Sequence, residues 1–333
     1  MEAQYSIKNL HVRLTSRCNF DCLHCYAASW KLKKLDLEKS LVCSSVEQAI
    51  DLGLQSVTFT GGEPLLHKDL VEIVQFCLSR NLKVSIESNG FLLDAFLARR
   101  FQGLEKIKFN ISYDGSYIRH SEKCQKIREN IEALAKGDMQ VRAQTVIMPL
   151  NSEEAELIFD YTKRLGIKNR VFMGHNQVEK VKRVKQFAID SLLDLRKKLL
   201  EKYDHLQIEL PELIGGKASK GCGWGCSRCE IMPNGDVTSC APIAFNRPGF
   251  IAGNIKEHFL ERIWNGEHFR RIRLLKQEDF KGFCAKCKFW FQCKGSCRAA
   301  AASVGGDILS PYPVCQEYVR RYPERAKKFE KEK

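Results

Sequence analysis

The chain has 333 residues, 44% of them apolar and 28% charged, a composition that supports a packed core and excludes a disordered chain. No apolar stretch approaches the ~18 residues of a membrane span, and the opening MEAQYSIKNL lacks an export-signal pattern, so a cytoplasmic protein is expected. The formal charge of +14 would suit nucleic acid, but interleaved aromatic and basic readout motifs are missing, which argues against that partner.

From residue 11 to about 175, β-type runs alternate with amphipathic stretches. The runs are HVRLT (11–15), SVTFT (56–60), LKVSIES (82–88), KIKFNISY (106–113), VRAQTVI (141–147) and NRVFMG (169–174). Helical patterns lie near 36–52, 68–80, 91–101, 121–136 and 153–166, with another near 186–203. Six β–α repeats imply a parallel sheet, because parallel strands need crossover connections. Residues 1–205 are therefore expected to form an α/β domain, followed by a linker at 206–221 that contains PELIGGKASKG. A cysteine-rich domain is expected at 222–320 and a solvated basic helical tail at 321–333.

Fifteen cysteines are too many for a reduced cytosolic chain unless most bind metal. After the first strand comes TSRCNFDCLHCYA, with Cys18-x3-Cys22-x2-Cys25 at a strand's C-terminal end, where parallel β/α folds place their chemistry. Three thiolates would leave one iron of a 4Fe–4S cluster open. Zinc, with His24 as a fourth ligand, is the alternative for this loop alone.

With TGGEPLL after the second strand, this set resembles the CxxxCxφC signature of the radical S-adenosylmethionine (SAM) superfamily, with His24 in the aromatic position. The resemblance implies that Cys18, Cys22 and Cys25 hold the SAM-binding cluster. It also implies that Gly61, Gly62, Glu63 and Pro64 form the loop beside SAM, Glu63 accepting from its ammonium group. SNG (88–90) and ISYDG (111–115) resemble the ribose- and carboxylate-contacting segments, pointing to Asn89, Ser112 and Asp114, and TVIMPLN resembles the segment near the adenine.

The second set is Cys222-x3-Cys226-x2-Cys229-x10-Cys240, then Cys284-x2-Cys287-x5-Cys293-x3-Cys297, then Cys315. With Gly235 five residues before Cys240, it resembles the SPASM domain, which carries two auxiliary 4Fe–4S clusters; zinc knuckles are the bland reading of its C-x2-C pairs. By position, Cys284, Cys287, Cys293 and Cys315 would hold the outer cluster. Cys222, Cys240 and Cys297 would hold the inner one, with Cys229 as the preferred fourth ligand and Cys226 as the alternative. Cys43, Cys77 and Cys124 read as core or surface thiols.

The implied whole is an α/β fold, a partial (β/α)6 TIM-type barrel followed by a small cluster-organised SPASM domain. Such an enzyme takes an electron from an external donor of flavodoxin or ferredoxin type and cleaves SAM reductively to a 5′-deoxyadenosyl radical. That radical takes hydrogen from the substrate. The resemblance favours a peptide substrate, with a small molecule such as a porphyrin in haem synthesis as the alternative. Sulfatase maturation is disfavoured, because Ala241 stands where those relatives place an acidic residue. With its first cluster cysteine at residue 18, the chain is expected to lack a fused leader-peptide-binding domain and to use a separate partner or none. His175 and the basic run Lys180–Lys185 are weaker candidates for substrate contact.

Overall fold

The computed structural model describes residues 5–27, 33–93, 100–101, 107–116, 121–137, 139–173, 187–216 and 222–331. Its centre is a parallel series of strands: β1 (Asn9–Thr15), β2 (Ser56–Gly61), β3 (Lys83–Ser88), β4 (Ile107–Ser112), β5 (Gln140–Ile147) and β6 (Asn169–Met173). Helices α1 (Lys39–Asp51), α2 (Leu70–Ser79), α3 (Ser121–Lys136), α4 (Ala155–Arg164) and α5 (Ile189–Lys202) return the chain between strands. Helix α4 shows why such segments fold: Ile158, Phe159 and Tyr161 are buried on one face, Glu156 lies in the first turn, and Lys163 and Arg164 complement the dipole in the last. Most of the helix expected near 91–101, together with His175 and Lys180–Lys185, lies outside the described residues.

The parallel sheet is wider than six strands. Residues 206–209, expected to begin a linker, form β7 (Leu206–Glu209), which pairs with β6. On the other side β8 (Arg228–Ile231), from the cysteine-rich region, pairs parallel with β1, and β9 (Asp236–Thr238) and β10 (Ile251–Asn254) continue antiparallel. The order is β10-β9-β8-β1-β2-β3-β4-β5-β6-β7. One sheet thus runs through both regions of the chain. Short strands of four residues carry weak sequence patterns, and their partners lie far away in sequence, so local reading misses them.

Alternation sorts the strand residues into two faces. Leu10, Val12, Val57, Phe59, Ile86 and Phe109 join one apolar core beneath the helices. Positions of the opposite parity face inward. Between β9 and β10 lies α6 (Ala241–Ala244), and beyond β10 come α7 (Leu260–Trp264), α8 (Glu267–Arg273), α9 (Trp290–Cys293), α10 (Arg298–Gly305), α11 (Pro313–Arg321) and α12 (Pro323–Lys327). The C-terminal segment is not a free solvated helix. Ala326 is buried, Lys288 N donates to Phe329 O at 2.9 Å, and Lys331 N donates to Lys286 O at 2.8 Å. No described helix is long and apolar enough to cross a membrane.

Candidate functional site

The cysteine loop leaves β1 at Thr15 and is clamped at once by the turn after β2. Gly62 N donates to Thr15 O at 2.7 Å, and Glu63 N donates to Arg17 O at 2.8 Å. A Cβ on Gly62 would fall into the Arg17 carbonyl, and one on Gly61 into the Thr15 carbonyl. The two glycines are therefore required by backbone packed on backbone, one residue ahead of Cys18. Pro64 opens a short 3-10 turn, Pro64–Leu66. Arg17 crosses the same junction: its guanidinium donates to Leu66 O at 2.9 Å and pairs with Asp36 at 2.6 Å.

Glu63 is fully buried. Its carboxylate accepts from Leu65 N at 3.1 Å, Ser88 Oγ at 2.8 Å and Asn89 N at 2.8 Å, tying the glycine turn to the end of β3. Asn89 in turn donates from Nδ2 to Asn19 Oδ1 at 2.8 Å, and Asn19 lies between Cys18 and Cys22. At the end of β4, Ser112 is partly buried, and the Asp114 carboxylate, almost fully buried, accepts from Val146 N at 2.8 Å. Asp114 also lies 3.6 Å from His24 Nε2, so the ring in the aromatic position of the motif faces a carboxylate. Asn151, at the end of TVIMPLN, donates to Asp114 O at 2.8 Å. Cys18, Cys22 and Cys25 are all partly exposed. The ends of β1 to β5 thus converge on one loop. Arg17, Asn19 and Asn151 were missed in the sequence; a polar residue inside a motif loop was their only signal.

Tyr26, directly after Cys25, turns the loop into the barrel. Arg13 donates to Tyr26 Oη at 2.8 Å and to Glu230 of β8 at 3.3 Å. A narrow cleft opens between Arg13, Thr15, Gly61, Gly62 and Phe245.

The outer set is a closed cage. Cys284, Cys287, Cys293 and Cys315 line one small pocket walled by Phe283, Phe289, Trp290 and Tyr312. Burial pushes the Cys293 thiol up to about 11, and the neighbouring Cys284 and Cys287 push it the same way. Cys315, on α11, is raised by burial and by Cys293, Cys284 and Cys287. Gln277 braces the loop, donating from Nε2 to Cys284 O at 3.0 Å and Cys287 O at 2.9 Å. The C-terminal segment covers the cage through the Cys287–Glu330 bridge and the Lys286–Glu330 pair at 2.7 Å. Four buried or half-buried thiols in an aromatic pocket fit a 4Fe–4S cluster, whose irons would take the thiolate charge that burial opposes.

The inner set is looser. Cys240 is raised by burial, then by Glu230, Cys297 and Cys222, which places three of its thiols together. Cys297 begins α10, and its Sγ accepts from Ala300 N at 3.5 Å. Cys226 is raised by burial and also by Cys222, whereas no cysteine acts on Cys229. Cys229 sits fully buried on β8 in register with Leu10, on the core face. The preferred fourth ligand therefore points into the apolar core, because strand parity turns it away from the other three. Arg298 lies between the two sets: it is 2% exposed, donates to Ile308 O at 2.7 Å and Ser310 O at 2.8 Å, and faces Cys284, Cys297, Cys293 and Cys222. Among the remaining cysteines, Cys77 and Cys124 are buried and Cys43 partly so.

The profile of the radical SAM superfamily matches residues 12–162, and that of the SPASM iron–sulfur cluster-binding domain matches 222–288. The AdoMet-dependent heme synthase of Methanosarcina barkeri is 26% identical, over 91% of this chain and 94% of that protein. Mycofactocin maturase MftC of Mycolicibacterium smegmatis is 24% identical, over 91% and 81%. Among solved structures, Streptococcus suis SuiB bound to precursor peptide SuiA superposes with a TM-score of 0.75 at 17% identity, covering 94% of this chain and 76% of that one.

Proposed function

Because this chain belongs to the radical SAM superfamily and carries a SPASM iron–sulfur domain, we propose that it oxidatively modifies its substrate from a three-cysteine cluster site, with two further clusters closing the C-terminal half. The observation that carries this reading is the loop holding Cys18, Cys22 and Cys25, clamped by the Gly61–Gly62 turn at the mouth of the barrel. When bound, the open-iron cluster and SAM supply a 5′-deoxyadenosyl radical that takes hydrogen from an unactivated C–H bond.

The protein's part is to bind and orient. Gly61 and Gly62 keep the β2 turn against the cysteine loop, and Glu63 and Asn89 fix that turn and the loop to the end of β3. Ser112 and Asp114, at the end of β4, would contact SAM. Cys284, Cys287, Cys293 and Cys315 would hold the outer cluster. For the inner one we assign Cys222, Cys226, Cys240 and Cys297, with Cys226 in place of Cys229. A flavodoxin- or ferredoxin-type protein is the expected electron donor.

For the substrate, a peptide is the first reading, supported by the likeness to MftC and by the SuiB fold with its precursor peptide. A leader peptide would then need a binding partner of its own. A porphyrin-like small molecule is the second reading, favoured by the near full-length overlap with the Methanosarcina heme synthase. The test is anaerobic reconstitution. About twelve irons per chain and dithionite-dependent release of 5′-deoxyadenosine are expected, and Cys18→Ala abolishes the release while about eight irons remain. Iron without SAM cleavage in the unaltered protein would sink the proposal.

A further inference from the structure

Closed (β/α) barrels normally fill their interior with bulky branched side chains. This one does not. From β1 to β8 the inward positions are polar, apart from Val146 on β5 and Phe172 on β6. They include six cations, Arg13, Lys83, Lys108, Arg142, Arg170 and Arg228, against three carboxylates, Glu87, Glu209 and Glu230. His11 adds no charge, since burial and then Arg228 hold its pKa down to about 3.

These groups face one shared space. Glu87 on β3 is influenced by Arg13 on β1, Arg170 on β6 and Arg228 on β8, although β3 pairs only with β2 and β4. The three arginines of β1, β6 and β8 are already engaged. Arg13 and Arg228 share Glu230 at 3.3 and 3.2 Å, and Arg170 pairs with Glu209 at 2.8 Å. Arg142, half-buried in β5 beside Arg170, makes no hydrogen bond or ion pair among the described residues. Buried donors are also left over: Arg13 Nε and Arg228 Nε have no partner among the described residues. An inward surface with surplus positive charge and unused donors is built for an anionic guest, because each unmet buried donor costs free energy that a charge-assisted bond recovers.

We propose that the barrel interior recognises a carboxylate of the substrate through Arg142, with Arg170 beside it, so that this enzyme selects carboxylate-bearing molecules. The inference rests on the radical SAM reading above and narrows its substrate class. An acidic side chain of a peptide and a propionate-like arm of a small molecule offer the same chemistry, and planar guanidinium groups suit both. The Arg13–Glu230–Arg228 group, joined to the cysteine loop through Tyr26, sets the end wall of the same space.

The test is anaerobic binding to the cluster-loaded protein with SAM present. One probe pair is coproporphyrin III and its tetramethyl ester; the other is a glutamate-rich octapeptide and its glutamine counterpart. At least one acidic probe should bind about tenfold or more tightly than its neutral partner, and the pair that discriminates identifies the source of the carboxylate. Arg142→Gln should erase that preference and Arg142→Lys should keep part of it. If Arg142→Gln loses iron, Arg170→Gln takes its place in the comparison. Equal binding of acidic and neutral probes, or a preference that survives Arg142→Gln and Arg170→Gln, overturns the inference. Release of 5′-deoxyadenosine by the unaltered protein is measured in the same preparation. Its absence removes the radical reading; its presence without probe discrimination removes the carboxylate inference alone.

Discussion

The two cysteine regions with the clearest geometry are built on opposite principles. The N-terminal loop is partly exposed and held by polar bonds from neighbouring strand ends, Gly62 to Thr15, Glu63 to Arg17 and Asn89 to Asn19. The outer C-terminal cage is apolar, aromatic and covered by the segment around Phe329 and Lys331. An exposed loop on a rigid sheet can offer a coordination position to a small molecule without endangering the fold. A cage built from short helices and turns would couple a bound cluster to the local fold, since ligand geometry and chain path there depend on each other.

That contrast is sharpest under cysteine deletion. Cys315→Ala should lower the melting temperature of the cluster-loaded protein by roughly 10 °C or more, since one kcal/mol moves a domain of this size by a few degrees. Cys18→Ala should remove as much iron with a far smaller shift. Equal shifts by calorimetry would mean that both clusters hold the fold alike. Next in size is Gly62→Ala, whose methyl meets the Arg17 carbonyl. About 1–3 kcal/mol of destabilisation is expected in denaturant melts, with iron lost from the N-terminal loop while the outer cage keeps its own. Asn89→Ala removes the tie to Asn19 and should cost about 1 kcal/mol while weakening SAM binding, measured by calorimetric titration. Unchanged SAM affinity would show that the loop holds its shape without that tie.

The smallest effect is one of pH in the C-terminal half. Burial holds His268 at about 4, and its Nε2 lies 3.0 Å from Ser239 Oγ. The folded state therefore keeps the ring neutral while the unfolded chain takes a proton below about 6.5. Stability present at neutral pH should decline as pH falls from about 6.5 towards 4. His268→Gln should flatten that part of the acid limb in denaturant melts; an unaltered slope would place the titration elsewhere.

Much of this architecture was legible beforehand. The six β-type runs lie on β1 to β6, and the stretches at 121–136 and 186–203 lie on α3 and α5, because strong period-2 and period-3.6 patterns survive without tertiary help. The four-residue strands β7 and β8 were not legible, and missing β8 had a chemical consequence. Once Arg228–Ile231 is a strand, alternation sends Cys229 to the core with Ile231 and turns Arg228 and Glu230 inward. The tail was legible in part: a mostly exposed helix does form at Pro323–Lys327, whereas Ala326 and Phe329, which hold the segment to the cage, are too few to make a pattern.

By itself the sequence determined which chemistry was possible. Cysteine spacing sets which thiols can reach one cluster, and the alternation of the long strands sets which faces are apolar, both being short-range properties of a covalent chain. Tertiary structure alone decided the rest. It packed Gly62 on a backbone 45 residues away and closed the outer cage with the chain end. It also gathered arginines from β1, β5, β6 and β8 around one interior. Those outcomes depend on which strand pairs with which. Pairing follows from burial of the whole apolar surface rather than from any local run of residues.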